Sequence, residues 1–315
     1  MMRVAVAGAG AFGLKHLDAL RQIDDVEIAA VVSRRVDQAR DVAETYGAPL
    51  ATDDLDDVLG ETSIDAVILC TPTQLHAEQA LATMRSGKHV QVEIPLADRL
   101  SDALAVDALA RETGLTCMVG HTRRFNPSHQ WIQQRVLRGE LNVLQMDVQT
   151  YFFRRTNTNA LGQPRSWTDN LLWHHAAHTV DLFAYQTQSP IDVAHGLSGP
   201  INAGLGIPLD MSIQLRAHSG SLCTLSLSFN NDGPFGTFFR YICDNGTYVA
   251  RYDDLVTGND EAIDLSHVAV SSNGIELQDR EFVAAIRERR EPNASVHQVL
   301  GCYKTLDAIQ NELNL

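Results

Sequence analysis

The stretch that most limits this chain comes first. Arg3-Val4-Ala5-Val6-Ala7 is a short apolar run, followed by Gly8-Ala9-Gly10-Ala11-Phe12-Gly13 and then a helical pattern from Leu14. Each glycine of a Gly-x-Gly-x-x-Gly between strand and helix has a physical reason. Gly8 permits the tight turn, Gly10 lets a pyrophosphate approach the main chain, and Gly13 lets the helix pack close to the strand. The helix N-terminus then faces the phosphates with its unpaired N–H groups. Glycines also mark ordinary turns, so context decides. Here a strand precedes, a helix follows, and a second strand, Val26–Val32, comes at the expected distance. The motif predicts a dinucleotide site at Gly8, Gly10, Ala11, Phe12 and Gly13.

The pattern then alternates. Strands are expected at Val26–Val32, Ala66–Cys70, His89–Val92 and Thr116–Val119, and helices at Phe12–Ile23, Val36–Tyr46, Gln74–Arg85 and Leu100–Thr113. Continuous apolar strands separated by helices imply a parallel sheet covered on both faces. The fold class is α/β, with an N-terminal Rossmann domain over residues 1–121. Residues 122–315 form a second domain for substrate binding and oligomerisation, whose last helices can pack back on the first.

The end of the second strand bears on the cofactor. An NAD enzyme places Asp or Glu there, to accept from the ribose 2′-hydroxyl. This chain reads Val31-Val32-Ser33-Arg34-Arg35 and has no acid at that point. A 2′-phosphate needs a cation and a hydroxyl donor, and Ser33 with Arg34 supply them. The expected cofactor is therefore NADP; the alternative is that Arg34 and Arg35 flank a solvated helix start.

Two later segments end strands on the same side of the sheet. In Cys70-Thr71-Pro72-Thr73-Gln74-Leu75-His76, Pro72 stops the strand and Thr73 is the expected N-cap. The loop could also line the ribose and nicotinamide through Thr71, Pro72 and His76. Glu93, in Val92-Glu93-Ile94-Pro95, is either a solvated loop acid or a contact to the nicotinamide ribose.

The second half carries arginine pairs and a histidine-rich helix. Arg123-Arg124 and Arg154-Arg155 stand out in a chain of net charge -14. Each pair is either solvated surface or a guanidinium fork for a carboxylate. A long polar loop runs from there to Trp167. In Asn170–Phe183, α-helical spacing puts His174, His178 and Asp181 on one face at i, i+4 and i+7, with His175 turned about 100° away. Three readings compete. Two histidines at i, i+4 can grip zinc, but no Glu sits between them and no third ligand is marked. They can be satisfied structural groups. Or they exchange a proton, since an imidazole titrates at about 6.5, with Asp181 fixing the tautomer.

Further strands are expected at Asp192–Gly199, Met211–Arg216, Ser221–Phe229, Thr237–Cys243 and Thr247–Arg251. Ser219-Gly220 and Asn245-Gly246 are hairpin signals, so an antiparallel meander is expected. Helices close the chain at Asp279–Arg289 and Val296–Leu313.

The acidic balance argues against nucleic acid, which needs a basic face. None of the five cysteines forms a Cys-x-x-Cys pair, which fits reduced thiols in a cytoplasmic protein. No apolar run reaches the ~18 residues of a membrane span, and the first strand leaves no room for a signal peptide.

Taken together, Gly8–Gly13, Thr71-Pro72 with His76, Gly87-Lys88-His89-Val90, Glu93-x-Pro95 and Phe282-Val283-Ala284-Ala285-Ile286-Arg287 resemble the glucose–fructose oxidoreductase and inositol dehydrogenase family (Gfo/Idh/MocA). The resemblance implies a Rossmann domain followed by an α/β domain with an open, mostly antiparallel sheet that mediates homodimers or homotetramers. Two departures matter. The family's Glu-Lys-Pro reads Glu93-Ile94-Pro95 here, so its catalytic lysine is absent. Its Asp-x-x-x-His-x-x-Asp has His174 in first place, followed by His178 and Asp181. By resemblance His178 exchanges the proton, with His174 as polar partner or alternative base and no metal. Within the family, segments such as Trp173-His174-His175-Ala176-Ala177-His178 and Phe229-Asn230-Asn231-Asp232-Gly233-Pro234 resemble a branch that uses NADP in bacterial protocatechuate 4,5-cleavage. That branch oxidises the cyclic hemiacetal of a dicarboxylate semialdehyde to a pyrone lactone. The implied substrate is a small dicarboxylate held by Arg123, Arg124 and Arg154, with Trp173 beside it. The alternatives are a sugar, inositol or dihydrodiol dehydrogenase, and a non-catalytic NADP-binding regulator.

Overall fold

The computed structural model describes residues 1–158, 162, 164–165, 168–269 and 274–314; Trp167 lies outside them. The chain forms two compact units. Met1–His121 with Ile275–Leu300 make the first, and Thr122–Gly274 with Gly301–Leu315 the second.

The first unit runs β1 (Met2–Ala7), α1 (Ala11–Leu20), β2 (Val26–Val32), α2 (Val36–Tyr46), β3 (Leu50–Thr52), α3 (Leu55–Gly60), β4 (Ala66–Leu69), α4 (Thr73–Arg85), β5 (His89–Val92), α5 (Leu100–Thr113) and β6 (Cys117–Val119). The strands form one parallel sheet in the order β3-β2-β1-β4-β5-β6. That is the doubly wound order, whose switch point lies between β1 and β4. The apolar runs predicted as strands are buried on both faces: Val4–Ala7, Ala29–Val31, Ala66–Leu69 and Val90 are at most 1% exposed. The short β3 and α3 were not expected. The fourth helix starts at Thr73 with Pro72 in the cap position, so Thr73 is not the N-cap.

The second unit contains α6 (Pro127–Leu137), β7 (Val143–Tyr151), a π-helical turn (Leu171–Ala176) that runs into α7 (Ala177–Thr187), β8 (Ile191–Ser198), β9 (Asp210–Ala217), β10 (Leu222–Ser228), β11 (Gly236–Cys243), β12 (Gly246–Arg251) and β13 (Asp254–Thr257). The closing helices are α8 (Ile275–Glu288), in the first unit, and α9 (Val296–Leu313), which passes from the first unit to the second after Leu300. The seven strands lie in the order β13-β12-β11-β7-β10-β9-β8. A simple meander is wrong here: β7 is inserted between β10 and β11 and pairs with β10 in parallel. The other pairs are antiparallel. Period-2 burial is regular, with Met146, Val148 and Thr150 buried on β7 and Met211, Ile213, Leu215 and Ala217 on β9. Among the described residues no helix is long and apolar enough to cross a membrane.

Candidate active site

In the first unit the glycine loop joins β1 to α1, and each glycine is constrained differently. Gly8 has φ +106°, and a Cβ there would meet the Cys70 carbonyl oxygen at 2.4 Å. A Cβ on Gly13 would meet the Gly8 carbonyl oxygen at 1.8 Å, which fixes α1 against the turn. At Gly10 a Cβ would meet nothing within 4 Å, so its missing side chain serves no packing within the protein. Gly10 is also the N-cap of α1, and no side chain caps the helix. Open space beside uncapped N–H groups fits a pyrophosphate. Ala11 opens the helix, and Phe12 is 53% exposed with Lys15 Nζ over its ring.

The end of β2 corrects one expectation. Ser33 is buried, and its hydroxyl donates to Gln38 Oε1 at 3.0 Å. Gln38 Nε2 then donates to the Ala9 carbonyl, also at 3.0 Å. Ser33 thus braces the glycine loop through Gln38 and is not an exposed donor. Arg34 is exposed at the strand end with no acidic partner among the described residues. Arg35 instead pairs with Asp37.

His76 and Glu93 are also committed within the protein. His76 is buried, with Nδ1 2.7 Å from the Pro95 carbonyl and Nε2 2.7 Å from the Thr71 carbonyl. It ties two loops at the carboxyl end of the sheet and offers no ring nitrogen to a ligand. Thr71 donates its hydroxyl to Gln79. Glu93 is 8% exposed, and its Oε1 takes His16 Nε2 at 3.2 Å and Gln278 Nε2 at 3.3 Å. His16 Nδ1 lies 2.8 Å from Asp279 Oδ1, and Gln91 donates to that same oxygen. This buried cluster was invisible in the sequence, because Asp279 lies 263 residues from His16. Burial alone would strip the His16 proton, but Asp279 and Cys70 together outweigh it and raise the imidazole well above its ordinary value. The position expected to reach a ribose is therefore an anchor of α1 and α8.

In the second unit Asn170 starts the histidine segment, its side chain accepting the Trp173 N–H at 2.7 Å. The next residues wind as a π-turn, so the 3.6-residue spacing that set His175 apart does not apply before Ala177. Across Leu171–Phe183 only His174, His175 and His178 are not buried. His174 Nδ1 accepts the Asn170 main-chain N–H at 3.1 Å, which puts its proton on Nε2. His175 is held down to about 3 by burial and by Arg154, Arg165 and Arg123, and is neutral.

Three expected roles change. Arg124 Nε and Nη2 donate to Asp181 Oδ2 and Oδ1 at 2.8 and 2.6 Å, with both side chains buried. The guanidinium fork expected for substrate is closed on Asp181, and that carboxylate serves Arg124. Trp173 is 3% exposed, and its indole N–H donates to Gln310, so it is a core residue. Arg123 lies over the Tyr252 ring, 5.3 Å from its centroid, and forms no ion pair among the described residues. Arg154 shares Asp169 with Arg165, and neither of those partners was singled out in the sequence.

A profile described as "Oxidoreductase family, NAD-binding Rossmann fold" matches residues 2–121, and one described as "Bacterial oxidoreductases, C-terminal" matches residues 127–269. The chain is 65% identical over 312 residues, 99% of each chain, to the 4-carboxy-2-hydroxymuconate-6-semialdehyde dehydrogenase of Sphingobium sp. (strain NBRC 103272 / SYK-6). It is 33% identical over 141 residues to the scyllo-inositol 2-dehydrogenase (NAD(+)) of Bacillus subtilis (strain 168), covering 44% of this chain and 41% of that one. Among solved structures, a levoglucosan dehydrogenase in complex with NADH shares the fold, with TM-score 0.88 and 17% identity over 99% of this chain and 97% of that one.

Proposed function

The chain belongs to the Gfo/Idh/MocA oxidoreductase family, and on that premise we propose that it oxidises 4-carboxy-2-hydroxymuconate-6-semialdehyde, as its cyclic hemiacetal, to 2-pyrone-4,6-dicarboxylate with NADP. The observation that carries this reading is that, along Leu171–Phe183, only His174, His175 and His178 are partly exposed. The nicotinamide cofactor supplies the hydride acceptor. The chain must bind it, hold two carboxylates and take one proton.

In the reaction the hemiacetal C–H and O–H bonds break and a ring C=O forms. The hydride carries the electron pair away, and the proton needs a base. His174 has its Nδ1 lone pair on the Asn170 N–H, so its ring has no lone pair left to take the proton. His175 is too weak a base near neutral pH. We take His178 as the proton acceptor, the role that the family resemblance also gives it. A hemiacetal hydroxyl is more acidic than a simple alcohol, so Ile94 can stand where the family keeps lysine. Arg34 would pair the 2′-phosphate of NADP, and Arg123 with Arg154 the substrate carboxylates. The free cysteines agree with a reducing, cytoplasmic setting.

Ile94 favours one other reading, a non-catalytic cofactor-binding relative. The test is NADPH formation from the semialdehyde and from a panel of inositols, sugars and dihydrodiols. Turnover of the semialdehyde alone supports the proposal. Turnover of a polyol in its place, or of nothing, sinks it.

A further inference from the structure

Gln38, the third residue of α2, joins two parts of the dinucleotide site in the first unit. Its Nε2 lies 3.0 Å from the Ala9 carbonyl in the glycine loop. Its Oε1 lies 3.0 Å from the Oγ of Ser33, the residue directly after β2. The main chain ties the same two segments, with the Gly8 N–H donating to the Val32 carbonyl at 2.8 Å.

The proton positions follow from the chemistry of the groups. The Ala9 carbonyl can only accept, so the carboxamide atom facing it is the NH2 group. Oε1 is then left to Ser33, and it too can only accept, so the Ser33 hydroxyl must donate. A hydroxyl has one proton. With that proton on Gln38, Ser33 Oγ can offer a ligand only lone pairs. Ser33 is 6% exposed, so water does not compete freely for its hydroxyl. Neither side chain makes another hydrogen bond among the described residues.

Ser33 holds the place where an NAD enzyme keeps its ribose acid. The two forms of the ribose make opposite demands there. A 2′-hydroxyl donates, and an oxygen turned acceptor suits it as a carboxylate would. A 2′-phosphate accepts, and the same oxygen presents it with lone pairs alone. Charge for the phosphate has to come from Arg34, which is exposed and has no acidic partner among the described residues.

We propose that Gln38 is a positioning residue that sets cofactor specificity through Ser33. It holds the Ser33 hydroxyl as an acceptor at the ribose 2′-position, which tempers the preference for NADP that Arg34 confers, while its amide braces the glycine loop at Ala9. The inference rests on the NADP reading above for the preference that is tempered.

The experiment titrates the full chain with NADPH and with NADH, read by cofactor fluorescence, in wild type, Gln38→Leu, Ser33→Ala and the double variant. Gln38→Leu removes the acceptor, so the Ser33 hydroxyl can turn and donate to the phosphate. Loss of the brace weakens both cofactors alike, whereas the turned hydroxyl helps NADPH alone. The ratio of the NADH Kd to the NADPH Kd is therefore expected to rise roughly 10-fold, the scale of one hydrogen bond to a charged group. That rise should vanish in the double variant, which has no hydroxyl to turn. Gln38→Glu keeps an oxygen to accept from Ser33 and should bring no rise. An unchanged or lower ratio in folded Gln38→Leu would overturn the proposal, because a brace alone moves both affinities together. A rise that persists without the Ser33 hydroxyl, or that appears in Gln38→Glu, would overturn it as well. Tighter binding of NADH than NADPH by wild type would instead count against the NADP reading, and the response of the ratio to Gln38→Leu would still decide the role of Gln38.

Discussion

Three histidines in one turn of chain do different jobs, and the difference lies in single atoms. His174 gives its Nδ1 to a main-chain N–H and His175 is neutral beside arginines, and on the proposed reading it is His178 that moves the proton. The sequence singled out His178 and His174, because their spacing and the family motif both point there. It could not show the split, because the Leu171–Ala176 turn is π and ordinary helical arithmetic misplaces His175. Arg124 and Arg154 looked alike as members of arginine pairs, yet one is closed on Asp181 and the other shares Asp169. On the proposed reading, cofactor choice turns on Arg34. It is exposed at the end of β2 and has no acid to pair with among the described residues. Arg34→Asp should raise the NADP KM far more than the NAD KM, since a carboxylate repels a 2′-phosphate and accepts from a 2′-hydroxyl. Equal changes in initial-rate kinetics for the two cofactors would show that Arg34 is only a solvated helix start.

At the scale of elements, the first sheet was legible because buried parallel strands read as unbroken apolar runs. Short pieces such as β3, α3 and β13 carry too few residues to show a period, and α6 went unread beside its arginines. The parallel pairing of β7 with β10 is non-local, so hairpin signals could not reveal it. The His16–Asp279 pair is of the same kind, joining α1 to α8 inside the first unit. Glu93 and Cys70 also face His16. Because the folded His16 holds its proton more tightly than the unfolded chain, its stabilisation is fully present below about pH 6.5. It is lost as pH rises through the raised folded value. The difference in Tm between wild type and His16→Gln should therefore shrink as the buffer is made alkaline; a gap that widens with pH would refute the pair. Asp279→Asn takes the nearer of two carboxylates from a buried imidazolium, leaving Glu93, and should cost up to about 3–5 kcal/mol by denaturant unfolding.

For the whole molecule, a net charge of -14 and a substrate of the same sign are reconciled only by local arginines. Composition gave the first fact and the family resemblance the second, with Arg123, Arg124 and Arg154 as expected holders, whereas Arg165 came to light only through its pairing with Asp169. The seven-stranded sheet also has a face left to solvent, with Gln214 and Arg216 on β9, Thr224 on β10, Gln149 on β7 and Arg240 on β11. We propose a second copy of the chain as its occupant, and light scattering should then give twice or four times the monomer mass. A monomer at micromolar concentration would count against it. The central claim is that His178 takes the hemiacetal proton while NADP takes the hydride. Its most direct test is the rate of NADPH formation from the semialdehyde at saturating substrate in wild type, His174→Ala and His178→Ala. Loss of a general base removes typically 10²- to 10⁴-fold of rate, so His178→Ala should fall by about that much, and further than His174→Ala, with NADP binding retained. Near-normal turnover by His178→Ala would contradict the account.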